Sequence, residues 1–205
     1  AAVIGRILEA EGLRVAIVPQ PNWRDDLRDF RKLGRPRLFF GISAGCMDSM
    51  VNKYTANKRL RSDDAYTPDG RPDMRPEYPS IVYTQILKKL YPDVPVVLGG
   101  IEASMRRLSH YDYWQDRLKK SILCESGADM LIYGMGEKPI CELVRRLTAL
   151  CDNQDGVISS SDIHSPALSS IPQTAYLTRK YESDENDITL YSHEECLADK
   201  KKQAT

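Results

Sequence analysis

The stretch GGIEASMRRLSHYDYW, residues 99–114, gathers more reactive side chains than a corner of chain requires. Gly99 and Gly100 end an apolar run. Glycine there either makes a tight strand-to-helix turn or lets a ligand approach the backbone closely. Glu102, Arg106 and Arg107 supply a carboxylate and two guanidinium forks, suited to a surface ion pair or to an anionic substrate group. His110, Tyr111, Asp112, Tyr113 and Trp114 join polar tips to large rings, a composition that fits a partner-facing surface. A lone histidine is not a metal ligand set, so no metal is assigned here.

Two further stretches carry possible chemistry. YGMGEKP, 133–139, is half of a glycine-rich phosphate turn: Gly134 and Gly136 lead into a helix start, without a third glycine. Glu137 in the first helical turn is equally explained by the helix dipole. Cys46 follows Gly45 on a strand-end loop, superficially a nucleophile position, although a free cysteine more commonly serves as a small packed side chain. In NKYTANKRLRSDDAYTPDGRPDMRP the basic and aromatic residues are interleaved with aspartates, so its electrostatic footprint for nucleic acid is weak.

Composition narrows the classes. The chain has 205 residues, with 29 basic and 29 acidic side chains, which gives no global attraction to nucleic acid or an acidic membrane. No apolar run approaches the roughly 20 residues that span a bilayer. Five cysteines at irregular spacing, with no C-x-x-C pair, point to reduced thiols in a cytoplasmic compartment. They also argue against a zinc or iron–sulfur site held by these residues alone.

The elements that must position these residues follow from hydrophobic periodicity. Helical spacing predicts helices over 1–11, 23–33, 80–92, 114–126 and 137–150. Runs apolar on both faces predict buried parallel strands near 14–18, 37–43, 94–98 and 129–133. Alternating helix and strand argues for an α/β fold, a doubly wound parallel sheet with helices on both faces. The series opens on a helix, so the first strand of the wind is expected to be missing, placed centrally between 14–18 and 94–98. The segment 46–79 is dense in turn formers and too long for an ordinary connection. From residue 151 the chain is polar and serine-rich. Residues 1–150 are therefore expected to form one domain and 151–205 a connector, with TAYLT and ITLYS as its only possible strands.

Three strings are far more specific than any glycine motif: FFGISAGCMDSMVNKYTANKRLRSDDAYTPDGRPD, VPVVLGGIEASMRRLSHYDYW and DMLIYGMGEKPICEL. Together they resemble the N-terminal region of YgiQ-type radical S-adenosylmethionine proteins, from Ala1 to about Leu150 and again over 191–203. The resemblance implies a Rossmann-like domain of the cobalamin-binding type, followed by a C-terminal (β/α) barrel of the same chain. That barrel would hold a [4Fe–4S] cluster on a C-x-x-x-C-x-x-C motif and reductively cleave S-adenosylmethionine. The motif does not occur in residues 1–205, so neither group is expected to bind here. Asp-x-His-x-x-Gly, which supplies the lower axial histidine of base-off cobalamin, is also absent. By this resemblance 99–114 and 46–79 form a lid or docking face over the barrel, with Gly99, Gly100, Glu102, Gly134, Gly136 and Glu137 as cofactor-side candidates. Arg106, Arg107, His110, Tyr111, Asp112 and Trp114 would face the barrel or its substrate. An independent nucleotide- or cobalamin-binding α/β module is the alternative reading.

Overall fold

Val96 and Leu98 turn to one side of a sheet and Val97 to the other, and Leu131 alternates in the same way with Met130 and Ile132. This period of two, apolar on both sides, is what a parallel sheet covered on both faces demands. The computed structural model describes residues 1–153, 156–179, 181 and 184–203.

In chain order the elements are α1 (Ala2–Ala10), α2 (Arg28–Arg31), β1 (Phe40–Ser43), α3 (Ser49–Lys53), α4 (Pro79–Leu90) and β2 (Val96–Gly99). Next come α5 (Gly100–Met105), β3 (His110–Asp112), β4 (Arg117–Lys119), α6 (Ile122–Ser126), β5 (Met130–Ile132) and α7 (Glu137–Asn153). The chain continues through α8 (Ser160–Ile163), α9 (Pro166–Ser169), β6 (Thr174–Ala175), α10 (His193–Ala198) and α11 (Lys200–Gln203). The main sheet runs β1-β2-β5-β6. β1, β2 and β5 are parallel, and β6 adds antiparallel to β5. One face is covered by α7, α8 and α9, with α1 beside them, around Leu143, Leu147, Ile163 and Leu168. The other lies under α4 and α6, around Tyr83, Leu87, Ile122 and Leu123.

Four expectations need correction. Residues 14–18 join no sheet, and β2 is flanked directly by β1 and β5, so no gap opens beside 94–98. Of the helix expected over 23–33 only Arg28–Arg31 forms. The side chains of Asn22, Asp25 and Asp26 take the amides of Arg24, Leu27 and Arg28, and these local turns compete with the helical ladder. The helix expected from Trp114 is instead the β3–β4 hairpin followed by one turn of helix, α6. Asp112 Oδ1 accepts the Gln115 amide at 2.8 Å and Asp116 takes φ +52°, which together reverse the chain. Of the two possible late strands, Thr174–Ala175 pairs with β5, whereas 188–192 pairs with no strand among the described residues.

The serine-rich stretch after Cys151 contributes Ile158, Ile163, Leu168 and Ile171, all buried, to the same core as α7. Part of its polar look comes from a serine that caps a short helix. Ser159 and Asp162 form a reciprocal capping box at the start of α8.

Candidate functional site

Three loops leave the carboxyl ends of β1, β2 and β5, the position where open α/β sheets gather their ligand-binding residues. Gly100 sets how closely two of them approach. It sits at φ +84°, and a Cβ added there would lie 2.6 Å from Ser43 Oγ. Gly99 is extended, a conformation open to any residue. Gly134, at φ +69°, donates its amide to Ser104 Oγ at 3.2 Å and so ties the third loop to α5. Gly136 packs against Ile132, and its carbonyl starts the α7 ladder by accepting the Ile140 amide at 3.0 Å. Glu137 lines a groove with Ile7, Cys141 and Arg145, between α1 and α7. A carboxylate in that first turn already complements the positive helix end, which opposes a phosphate there.

Glu102 is fully buried, and its two oxygens are spent on backbone. Oε2 accepts the Ser49 amide and Oε1 the Ser80 amide, each at 3.1 Å. One carboxylate on α5 thereby caps α3 and α4, the two helices that bracket the long segment 46–79. Arg106, one turn along α5, is also buried and pairs with Asp48. Asp48 caps α3 itself, accepting from Met50 and Val51. Burial pulls against the Arg106 charge, but the Asp48 contact and the Glu102 carboxylate hold its pKa above the ordinary arginine value.

The network continues into the hairpin. Tyr78 lies beneath the Arg106 guanidinium and the Lys119 ammonium, 5.3 and 4.5 Å from its ring centre, and donates its hydroxyl to Asp112 Oδ2 at 2.6 Å. Burial would raise the Asp112 pKa. The Tyr78 hydroxyl, the Gln115 amide and the nearby Lys119 and Arg106 charges outweigh it and hold the carboxyl below its usual range. Burial and the Asp112 contact push the Tyr78 phenol well above the usual range. Lys119 is paired with Glu125 at 2.7 Å. His110 lies next to this set, 3.0 Å from Leu108 O through Nδ1, while its Nε2 is buried with no hydrogen-bond partner among the described residues. Burial lowers the His110 pKa, with Leu108 O and Glu125 opposing and Arg106 and Lys119 reinforcing the shift.

The remaining candidates lie further out. Arg107 donates to Ser104 O at 2.7 Å and stacks on Tyr133 at 4.9 Å. Tyr111 is exposed and bonded to Asp116. Trp114 packs on Tyr54 and Tyr113, at 5.5 and 5.3 Å between ring centres, and joins the hairpin to the 46–79 segment. Around the strand-end loops several apolar side chains stand in solvent: Ile101 is 44% exposed, Leu108 47%, Met105 60% and Met135 74%. Cys46 and Cys124 are exposed, Cys141 half-buried, and Cys151 and Cys196 buried. Among the described residues no three His, Cys, Asp or Glu side chains gather as a metal site, so this donor set does not fit an iron–sulfur cluster.

The whole chain, residues 1–205, matches the family model described as Radical SAM N-terminal. The chain belongs to that family. It is 76% identical to a UPF0313 protein of Bacteroides thetaiotaomicron over 207 aligned positions, covering all of this chain and 33% of the relative. A UPF0313 protein of Porphyromonas gingivalis is 69% identical, again over the whole chain and 31% of its own length. UPF0313 protein YgiQ of Escherichia coli is 56% identical over 71% of the chain and 20% of the relative. This Radical SAM N-terminal chain therefore spans about a third of the length of the first two relatives. No solved structure matches it.

Within this Radical SAM N-terminal chain the sequence candidates divide by burial. Glu102, Arg106 and Asp112 come together with Asp48, Tyr78 and Lys119, three residues that motif reading passed over. Asp48 and Tyr78 do carry a signal: each sits immediately before a helix, where a capping or turn residue is expected. The buried lysine carries none, because it ends strand β4 while its partner Glu125 sits on helix α6, a pairing that no single periodicity shows.

Proposed function

We propose that the chain is the N-terminal accessory domain of a longer radical S-adenosylmethionine protein, and that its strand-end face docks on the catalytic barrel. The observation that supports this is that Ile101 and Met105 on α5, Leu108 just after it and Met135 after β5 all face solvent beyond the carboxyl ends of parallel strands. Grouped apolar side chains mark interaction surfaces, and methionine adapts to irregular partners. Beneath them the Glu102–Arg106–Asp48 network fixes the loops, so the face is preformed. In this reading Arg107 and Tyr111 stand at its edge and meet the barrel or its substrate. Cleavage of S-adenosylmethionine on a [4Fe–4S] cluster then belongs to the rest of the polypeptide, in a cytoplasmic setting where thiols stay reduced. The domain reaches at least to Ala175, and the connector begins after it.

The test uses the full-length protein carrying Met105→Asp and Met135→Asp together. Both side chains are exposed, so the domain itself keeps its fold by circular dichroism. Faster proteolysis between the halves and reduced 5′-deoxyadenosine formation are expected. Unchanged proteolysis and turnover would rule the docking face out.

A further inference from the structure

β1 is the last strand on its side of the sheet, and half of its backbone is turned outward. Phe40 donates its amide to Pro95 O at 2.9 Å, towards β2. Alternation then points the peptide groups of Phe39, Gly41 and Ser43 the other way. Among the described residues no strand pairs on that side. Natural edge strands are usually blunted by lysine, proline or a bulge. Phe40–Ser43 reads FGIS and carries none of these.

A second apolar run is without a strand partner among the described residues. Residues 14–18 include Val15, Ile17 and Val18, a β-branched run suited to a sheet, yet they form no ladder. Helix α1 connects the two places. Gly5 brings α1 to within ordinary contact of Val15 and Ile17, and Ile4, Ile7 and Leu8 pack in the same cluster as Phe39. Val3 on α1 and Ile17 remain 62% and 55% exposed. The unpaired edge of β1 therefore offers a slot for one more strand, and 14–18 is a second run without a ladder among the described residues.

We propose that this slot is filled by the polypeptide leading directly into α1 in the full-length protein, as a strand parallel to β1. A strand followed by α1 and then 14–18 is a right-handed β-α-β unit, the connection parallel strands almost always use. Its occupant would pair with β1 on one side and recruit 14–18 on the other, covering Val3 and Ile17. About two thirds of the length of each of the first two relatives lies outside the aligned region. A covalently attached segment also outcompetes a free one at equal intrinsic affinity.

Hydrogen exchange on the full-length protein tests the assignment. The Gly41 amide and those of 15–18 should be protected at least about 100-fold, with matching protection in the residues immediately ahead of α1. That protection should survive dilution. Free exchange at Gly41 and 15–18 would overturn the proposal. Protection that vanishes on dilution would do the same by assigning the slot to a second copy, as would matching protection in a different segment. Gly41→Pro against Gly41→Ala gives a second reading, because proline removes only the outward donor and is tolerated on a free edge. Proline should lower the domain's melting temperature by at least about 3 °C more than alanine does. Equal effects would count against a filled slot.

Discussion

Ser109 Oγ lies 3.0 Å from His193 Nδ1, joining the entry of the β3–β4 hairpin to the first turn of α10. Lys120 and Glu194 make a second tie at 2.8 Å, and Cys196 is buried on the same helix. The chain beyond β6 therefore returns to the β3–β4 hairpin at α10. His193→Ala combined with Lys120→Ala should raise proteolytic cleavage around α10 while leaving the main unfolding transition in place. Cleavage unchanged from wild type would show that Cys196 alone holds the helix down.

Glu102→Ala tests the double cap. Truncation strands two buried amides at once, so a loss of about 2–5 kcal/mol is expected in urea unfolding. Glu102→Gln should recover only part of it, since the amide nitrogen presents a donor to one of the two backbone donors. A loss below about 0.5 kcal/mol for the alanine variant would mean that water replaces the carboxylate freely.

Gly100→Ala combines a left-handed backbone with a 2.6 Å approach to Ser43 Oγ. The expected cost is about 1–3 kcal/mol. Ser43→Gly on top of it removes the close contact but not the positive φ, so the double variant should regain part of the loss. Full recovery would assign the whole cost to the serine.

Stability should fall on mild acidification. The unfolded chain protonates its histidines near pH 6.5, whereas His110 in the folded protein resists protonation to a lower pH. Below 6.5 the unfolded state therefore binds more protons, and stability declines until the folded His110 titrates as well. His110→Gln should flatten this part of the urea-midpoint profile. Asp112 acts in a separate window: its folded pKa is depressed, so its contribution is present above the ordinary value of 3.8 and is lost as pH falls below it.

Anaerobic reconstitution of residues 1–205 with iron and sulfide should yield no cluster absorbance. A cluster that disappears in Cys46→Ala would contradict this and move chemistry into the domain.

The parallel core was legible because three runs, around 37–43, 94–98 and 129–133, place apolar side chains on both faces, the pattern of a strand covered on two sides. The run at 14–18 reads identically, but a strand needs a neighbour as well as a pattern. The helix expected at 114–126 failed because Trp114 and Leu118 keep helical spacing while Asp112 and Asp116 dictate a turn, and local side-chain bonding won. Among the candidate residues, the types at 99–114 showed that something was held there. Sequence spacing could not show that Glu102 and Arg106 hold this protein's own loops, because Ser49, Ser80 and Asp48 are brought to them by the sheet.

The direction of β6 has a consequence for assembly. Running antiparallel to β5, it delivers the chain to the pole where the parallel strands begin, opposite the strand-end face. Whatever follows Ala175 therefore sets out from that pole, and α10, held against Ser109 and Lys120, brings the chain back to the β3–β4 hairpin. The last helices are thus fastened to the domain at two places far apart in sequence, Leu131–Ile132 through β6 and Ser109–Lys120 through α10.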